Sequence, residues 1–348
     1  MSRAGVIRAL LFFGVLTALP FAVTAHWIVN LGVFTLIYAG LASAWNLVGG
    51  LAGYPSLGHA AFFGAGAYAE AIYFQHRDAG ANGLMPFLVL PIVGAGVAVL
   101  GLAVGWIAMR TRSDVFAIVT ITLLFVAQTL AFNLNSLTGG SQGIGMPPAP
   151  FDVDTYERPF YLVLVLLLAV SMGVTWAALH SGAGLSLQAV AADEERARGI
   201  GVHVTGVKLL AFAVSVGIAG MIGGVWAYYV SFIYPQFAVD PLITIGMVLM
   251  AYLGGRGTLW GPVLGAFVLV PAQQYLAYQY GATQLYLIAY AAVFLLIMLL
   301  LPRGILPSLS HLLRRRHAAT GRSPDETTQD PADAASTEAG TVAEEMAR

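Results

Sequence analysis

Along most of the chain, apolar residues run unbroken for about the length of a membrane crossing, and polar residues gather in short gaps between the runs. The runs cover 9–25, 28–48, 57–75, 84–109, 115–132, 160–179, 207–230, 241–253, 261–278 and 283–301. A helix needs about 20 apolar residues to cross the hydrocarbon core. The pattern therefore predicts an all-α, polytopic membrane protein of about 8 to 10 transmembrane helices. Composition agrees, since 58% of the 348 residues are hydrophobic and 9% charged, against about 25% charged in a soluble domain. The first run follows Arg3 and Arg8 and ends in Val23-Thr24-Ala25, as a cleavable signal can, and is read as a retained anchor.

Two glycine-rich stretches interrupt the pattern. The early one holds Gly49, Gly50, Gly53, Pro55, Ser56, Gly58 and His59, and the late one Gly254, Gly255, Gly257, Gly261 and Gly265. Irregular backbone at membrane depth survives only where protein buries it or a polar cavity borders it. Paired glycine-interrupted spans in two halves point to a transport site where the halves meet. Ser56 is placed to cap the half-span that follows, whose N-terminus could meet a carboxylate in transit. His59 reads either as a packed histidine bonded to a backbone carbonyl or as part of the path, and Glu70 as interfacial. Gly220 and Gly224 have the spacing that lets helices approach closely. The loop 133–159, with Thr138, Gly139 and Gly140 followed by Pro147 and Pro148, reads as turns.

The segment 182–208 is a long polar gap with a dense charge cluster. Asp193, Glu194, Glu195, Arg196 and Arg198 surround Ala197, with Gly182 and Gly184 before and Gly199 and Gly201 after. One short amphipathic helix is expected, with Glu194 and Arg198 paired four residues apart. It is read as a docking handle rather than a solvated connector, and reversing Glu194 and Glu195 together is expected to abolish uptake without disturbing insertion. With an inward amino terminus and ten crossings, only Arg77 and Arg158 of the 16 basic residues face outward, so the handle and both termini fall in the cytoplasm. Residues 1–307 form the membrane domain and 308–348 a polar, disordered tail.

Absences narrow the chemistry. The single lysine, Lys208, follows Val207, so no Gly-Lys-Ser/Thr phosphate loop exists and ATP is not bound by that route. Cysteine is absent, which excludes disulfides, thiolate metal sites and a cysteine nucleophile. The spans hold no metal-ligand cluster and no nucleophile with a spaced base, so no enzyme, cofactor or metal is expected. Net charge is −1, and no nucleic-acid partner is expected. A permease whose motor is a separate ATPase fits best, and a self-sufficient secondary carrier or channel is the alternative.

Four stretches of sequence resemble one family. They are Trp45–Gly50 continuing through Ser56–Gly64, Phe116–Thr120 with Leu137–Ser141, Lys208–Phe212, and Leu253–Gly265. Together they resemble the LivM-type permease subunits of branched-chain amino acid ABC importers. The resemblance implies a bacterial inner-membrane subunit paired with a second permease, two cytoplasmic ATPases that bind the ATP, and a periplasmic solute-binding protein. The translocation path is expected near Ser56, Gly58, His59, Thr138, Gly139, Gly140, Gly254, Gly255 and Gly257. The family's coupling motif, an acid, two alanines and a glycine, maps loosely onto Glu194, Arg196-Ala197 and Gly201.

Overall fold

The structure, a computed structural model, describes residues 3–23, 25–77, 80, 82–280, 291, 292, 295 and 304–306. Most of the run at 283–301 and all of the tail from 308 lie outside the described residues. The helices are α1 (Arg3–Ala22), α2 (His26–Trp45), α3 (His59–Phe74), α4 (Met85–Ala108), α5 (Ser113–Asn133), α6 (Asn135–Thr138), α7 (Glu157–Leu179), α8 (Gly182–Ala192), α9 (Glu194–Gly199), α10 (Val204–Val230), α11 (Pro235–Ala238), α12 (Pro241–Gly254) and α13 (Gly261–Tyr280). A π-helical turn, Asn46–Leu51, extends α2. Among the described residues seven helical segments are long and apolar enough to cross a membrane. The 16-residue α3 and 20-residue α13 pack among them.

Helix α10 is the hub, packed against α2, α3, α4 and α7. Lipid tails are as apolar as leucine, so helix contact here rests on close packing rather than on escape from water. Small residues supply it. A Cβ on Gly66 of α3 would lie 2.1 Å from the Gly220 carbonyl oxygen of α10, so the two backbones touch. Gly224, one turn on, faces Leu90 and Glu70. Glu70 is fully buried in the α3, α4 and α10 contact, one turn before α3 ends at Phe74.

One end of the bundle carries the α4–α5 corner, the segment after the π turn, and α8–α9, which border a common cleft. The other carries a two-stranded antiparallel ribbon of β1 (Ile144–Gly145) and β2 (Phe232–Ile233), with Ile144 opposite Ile233. Between these ends two helices begin midway. Ala60 N, in the first turn of α3, donates to Thr244 Oγ1 in the first turn of α12 at 2.8 Å, and the neighbouring His59 bonds Ser215, near the middle of α10. From that level α3 runs to the ribbon end and α12 to the α9 end.

The second interruption is therefore the segment 231–240, not the late glycine stretch. Residues 254–260 instead make the corner between α12 and α13, where Gly255 and Gly257 hold φ of 120° and 74°. A Cβ on Gly254 would sit 1.6 Å from Gly261 O. The segment 231–240 falls in the gap between the runs 207–230 and 241–253, but it holds Phe232, Ile233, Tyr234 and Phe237 and no glycine, so it lacks the mark of the other two stretches. The loop 133–159 is largely turns, with the short α6 and β1 inside it.

Candidate translocation and coupling sites

The two glycine stretches meet. Asn46, in the π-helical turn, accepts from Gly257 N on Oδ1 at 2.7 Å and donates from Nδ2 to Thr258 O at 2.9 Å. Both groups of one amide are thus spent on the backbone of the α12–α13 corner. Gly50 lies in the same contact, where a Cβ would fall 1.9 Å from Asn46 Oδ1 and 2.7 Å from Gly257 N. One turn before, the fully buried Trp45 donates its indole N–H to Ser56 O at 2.8 Å.

Ser56 is buried but does not cap α3. Gly58 holds that position, and the Ser56 hydroxyl only accepts from Gly58 N at 3.4 Å. A Cβ on Gly58 would lie 2.6 Å from Thr120 O of α5, so only glycine allows that approach. His59 is bonded, but through a hydroxyl rather than to a carbonyl. Ser215 Oγ donates its one proton to Ala44 O at 2.6 Å, so it accepts from His59 Nε2 at 2.8 Å. The chain His59, Ser215, Ala44 ties α3, α10 and α2 together. Thr138, Gly139 and Gly140 stand apart, at the ribbon end. The Thr138 hydroxyl closes the turn after α5 on Ala131 O and Leu134 O, and both glycines have positive φ.

The handle is two helices, not one. Asp193 turns to φ −164° and ψ 111°, which ends α8, and its Oδ1 accepts from Glu195 N and Arg196 N at 3.0 Å each. An aspartate offering its own acceptor to those N–H groups starts a new helix in preference to continuing the old. The resulting corner has two faces. Ala197, Leu187 and Val190 turn inward and are buried. Glu195 and Arg196 have side chains 88% and 89% exposed, next to exposed Gly199, Ile200 and Gly201.

Glu194 belongs to the inner face. Its Oε1 accepts from Arg198 Nη2 at 3.0 Å, as the four-residue spacing predicts, and from Lys208 Nζ at 3.1 Å. Its Oε2 accepts from the Tyr54 hydroxyl, and the Lys208 ammonium lies 4.1 Å from the centre of the Tyr54 ring. Partial burial opposes the charge on Glu194, but the Tyr54 hydroxyl, Lys208 and Arg198 outweigh it and hold the carboxyl below its usual range. Burial, and then the Glu194 carboxylate, push the Tyr54 hydroxyl above its own. The cluster joins α9, α10 and the segment leaving the early glycine stretch. Sequence reasoning placed neither Tyr54 nor Lys208 in it. The available signal was a lone lysine in the first turn of an apolar helix, where an unpaired charge is costly.

Seven apolar helical segments of membrane-crossing length, α3 and α12 meeting inside the bundle and a charged corner at one end are the layout of a multi-pass membrane protein. A family described as the permease component of the branched-chain amino acid transport system matches residues 27–301, and the chain belongs to it. It is 28% identical over 331 residues to the high-affinity branched-chain amino acid transport system permease protein LivM of Escherichia coli, covering 87% of this chain and 75% of the relative. It is 24% identical over 289 residues to LivH of the same organism, covering 77% and 91%. A shorter match, 29% over 148 residues, is to the autoinducer 2 import system permease protein LsrC of Yersinia pseudotuberculosis, covering 38% and 39%. No solved structure matches the chain. The chain is thus a permease subunit of an ABC importer.

Proposed function

We propose that the chain forms half of the translocation pathway for branched-chain or related apolar amino acids, in the inner membrane, with its α9 end and both termini in the cytoplasm. The other half is a second permease of the same family. Two cytoplasmic ATPases bind the ATP, this chain binding none and catalysing no reaction itself, and a periplasmic protein delivers the substrate. The observation that carries this reading is the corner of α8 and α9. It offers an exposed Glu195, Arg196 and Ile200 on its outside while Glu194 fastens its inside to Lys208 of α10. A push on that corner is passed directly to the hub helix.

The test is to tag this chain, extract it gently, identify what co-purifies, and reconstitute the assembly with the binding protein. Leucine uptake that requires ATP and all subunits is the expected result. Gradient-driven uptake by the chain alone would sink the reading. One observation favours that carrier alternative: Glu70 is fully buried, and neither carboxyl oxygen has a hydrogen-bond partner among the described residues. Intramembrane acids of this kind serve as proton relays in pumps and carriers. A Glu70→Gln variant that imports normally on ATP removes it from the mechanism.

A further inference from the structure

On the ribbon side of the Asn46 contact lies a cavity of about 600 Å³, inside the ~300–1,000 Å³ range of small-molecule sites. Among the described residues five parts of the chain border it: α2, α3, α10, α13 and the 231–240 interruption with the start of α12. Phe34, Phe63 and Trp226 give it aromatic walls. Asp240 is the one charged side chain among its described lining residues, and Gln273 and Gln274 add two amides. Leu41 lies at its inner side, one turn of α2 before Trp45. The bonds from Trp45 to Ser56 and from Asn46 to Gly257 stand between the cavity and the α9 end.

Asp240 is unusual in its setting. Its Oδ1 accepts from Leu242 N at 2.8 Å and so caps α12, which fixes the carboxylate where the helix begins midway through the bundle. Oδ2 has no hydrogen-bond partner among the described residues. A fixed carboxylate with a free oxygen, beside an aromatic wall, is complementary to a cation that carries an apolar group. Neutral solutes such as urea or a short amide use only part of it.

We infer that this cavity holds the substrate in transit and selects an α-amino acid with an apolar side chain. The ammonium group binds Asp240, the side chain lies against Phe34, Phe63 and Trp226, and the carboxylate takes amide N–H bonds from Gln273 or Gln274. The inference rests on the importer reading above, including its cargo, and adds to it the site and the residues that bind that cargo. It also places selection in the permease, in addition to any made by the protein that delivers the substrate.

The experiment uses the assembled importer in proteoliposomes, with radiolabelled leucine and, separately, urea. Asp240→Asn keeps the cap, because asparagine caps helices as well as aspartate, and removes the charge. Its leucine uptake is expected to fall about tenfold, the value of a hydrogen bond to a charged group, with all subunits still recovered together. Ile243→Trp, which fills the cavity from α12, is expected to block leucine in the same way. Undiminished leucine uptake by both variants overturns the inference. So does loss of the partner subunits from either variant, which assigns this face to the interface with the second permease, and so does urea uptake by the wild type equal to that of leucine. If the wild-type assembly imports nothing on ATP, the importer reading itself has failed.

Discussion

Asn46 and Gly257, 211 residues apart, are joined by a 2.7 Å hydrogen bond, and the same asparagine amide returns a bond to Thr258 O. One side chain thereby fixes the early glycine stretch against the corner between α12 and α13. Asn46 is fully buried, so removing its amide leaves an N–H and a carbonyl with no replacement. Asn46→Leu, of similar size, is expected to destabilise the protein by ~1–3 kcal/mol. Thermal unfolding in detergent measures it, and an unchanged midpoint would show that the contact contributes nothing.

The glycines around that bond differ in why they are glycine. Gly257 has φ 74°, and its Cβ would stand 3.3 Å from Gly50 O, a tight but negotiable distance. Gly257→Ala then carries mainly the left-handed penalty of about 1–2 kcal/mol. Gly50 needs no special φ, but its Cβ would overlap Asn46 Oδ1 at 1.9 Å, so Gly50→Ala must displace the asparagine and is expected to be the more damaging. Gly173, with nothing among the described residues within 4 Å of a Cβ there, is the control, and alanine there is expected to be neutral or stabilising by ~0.5–1 kcal/mol. Equal melting shifts at 50 and 173 would contradict the packing argument.

Glu194 and Glu195 are neighbours with opposite duties. Lys208 has a side chain 1% exposed and Glu194 is its carboxylate partner, so Glu194→Ala strands a buried ammonium, at a cost of about 3 kcal/mol or more. Glu195 is 88% exposed and 3.9 Å from an equally exposed Arg112, and Glu195→Ala is expected to change stability by less than about 0.5 kcal/mol. Reversing both charges at once would therefore damage the fold as well as uptake, contrary to the expectation from sequence. A double variant, Glu194→Ala with Lys208→Met, should recover much of the loss, and failure to recover it would deny the pairing.

The same carboxylate sets an acid limit. Its folded state holds a proton less readily than the ordinary value of 4.5, so the unfolded chain takes up the proton first as pH falls. The stabilisation is present above about 4.5 and is lost as pH drops through the depressed folded value. Glu194→Gln lacks this term. The difference in melting temperature between pH 7 and pH 4 should be smaller in the variant than in the wild type, and equal differences would remove Glu194 from the acid response.

Much of this arrangement was legible in the chain because membrane crossing demands long apolar runs, and runs are local. The two glycine stretches and the Glu194–Arg198 pair are local as well. What escaped was whatever depends on the far side of the bundle. Nothing near Asn46 in sequence names Gly257 as its partner. The 231–240 interruption carries no glycine to mark it, and its backbone finds partners in the ribbon and in Gln128, which donates to Val239 O. In sequence Asp193 is one more charge in a run that predicts a single helix, whereas its acceptor oxygen divides the run in two.

The corner that Asp193 creates supports the last prediction. Ile200 is 78% exposed and Leu185 67% exposed, apolar residues at an end that also carries the charged Glu195 and Arg196 and therefore lies outside the hydrocarbon. Burying an isoleucine against a partner contributes roughly 1.5–3 kcal/mol, which is tenfold or more in affinity. Ile200→Glu replaces that gain with a desolvation cost and touches nothing inside the fold. It should retain the wild-type melting temperature, lose the co-purifying ATPase subunits and lose uptake, while Glu194→Ala lowers the melting temperature first. If Ile200→Glu keeps its ATPases and imports normally, the motor engages another surface, and the cleft beside Arg110 and Arg112 at the same end becomes the next to test.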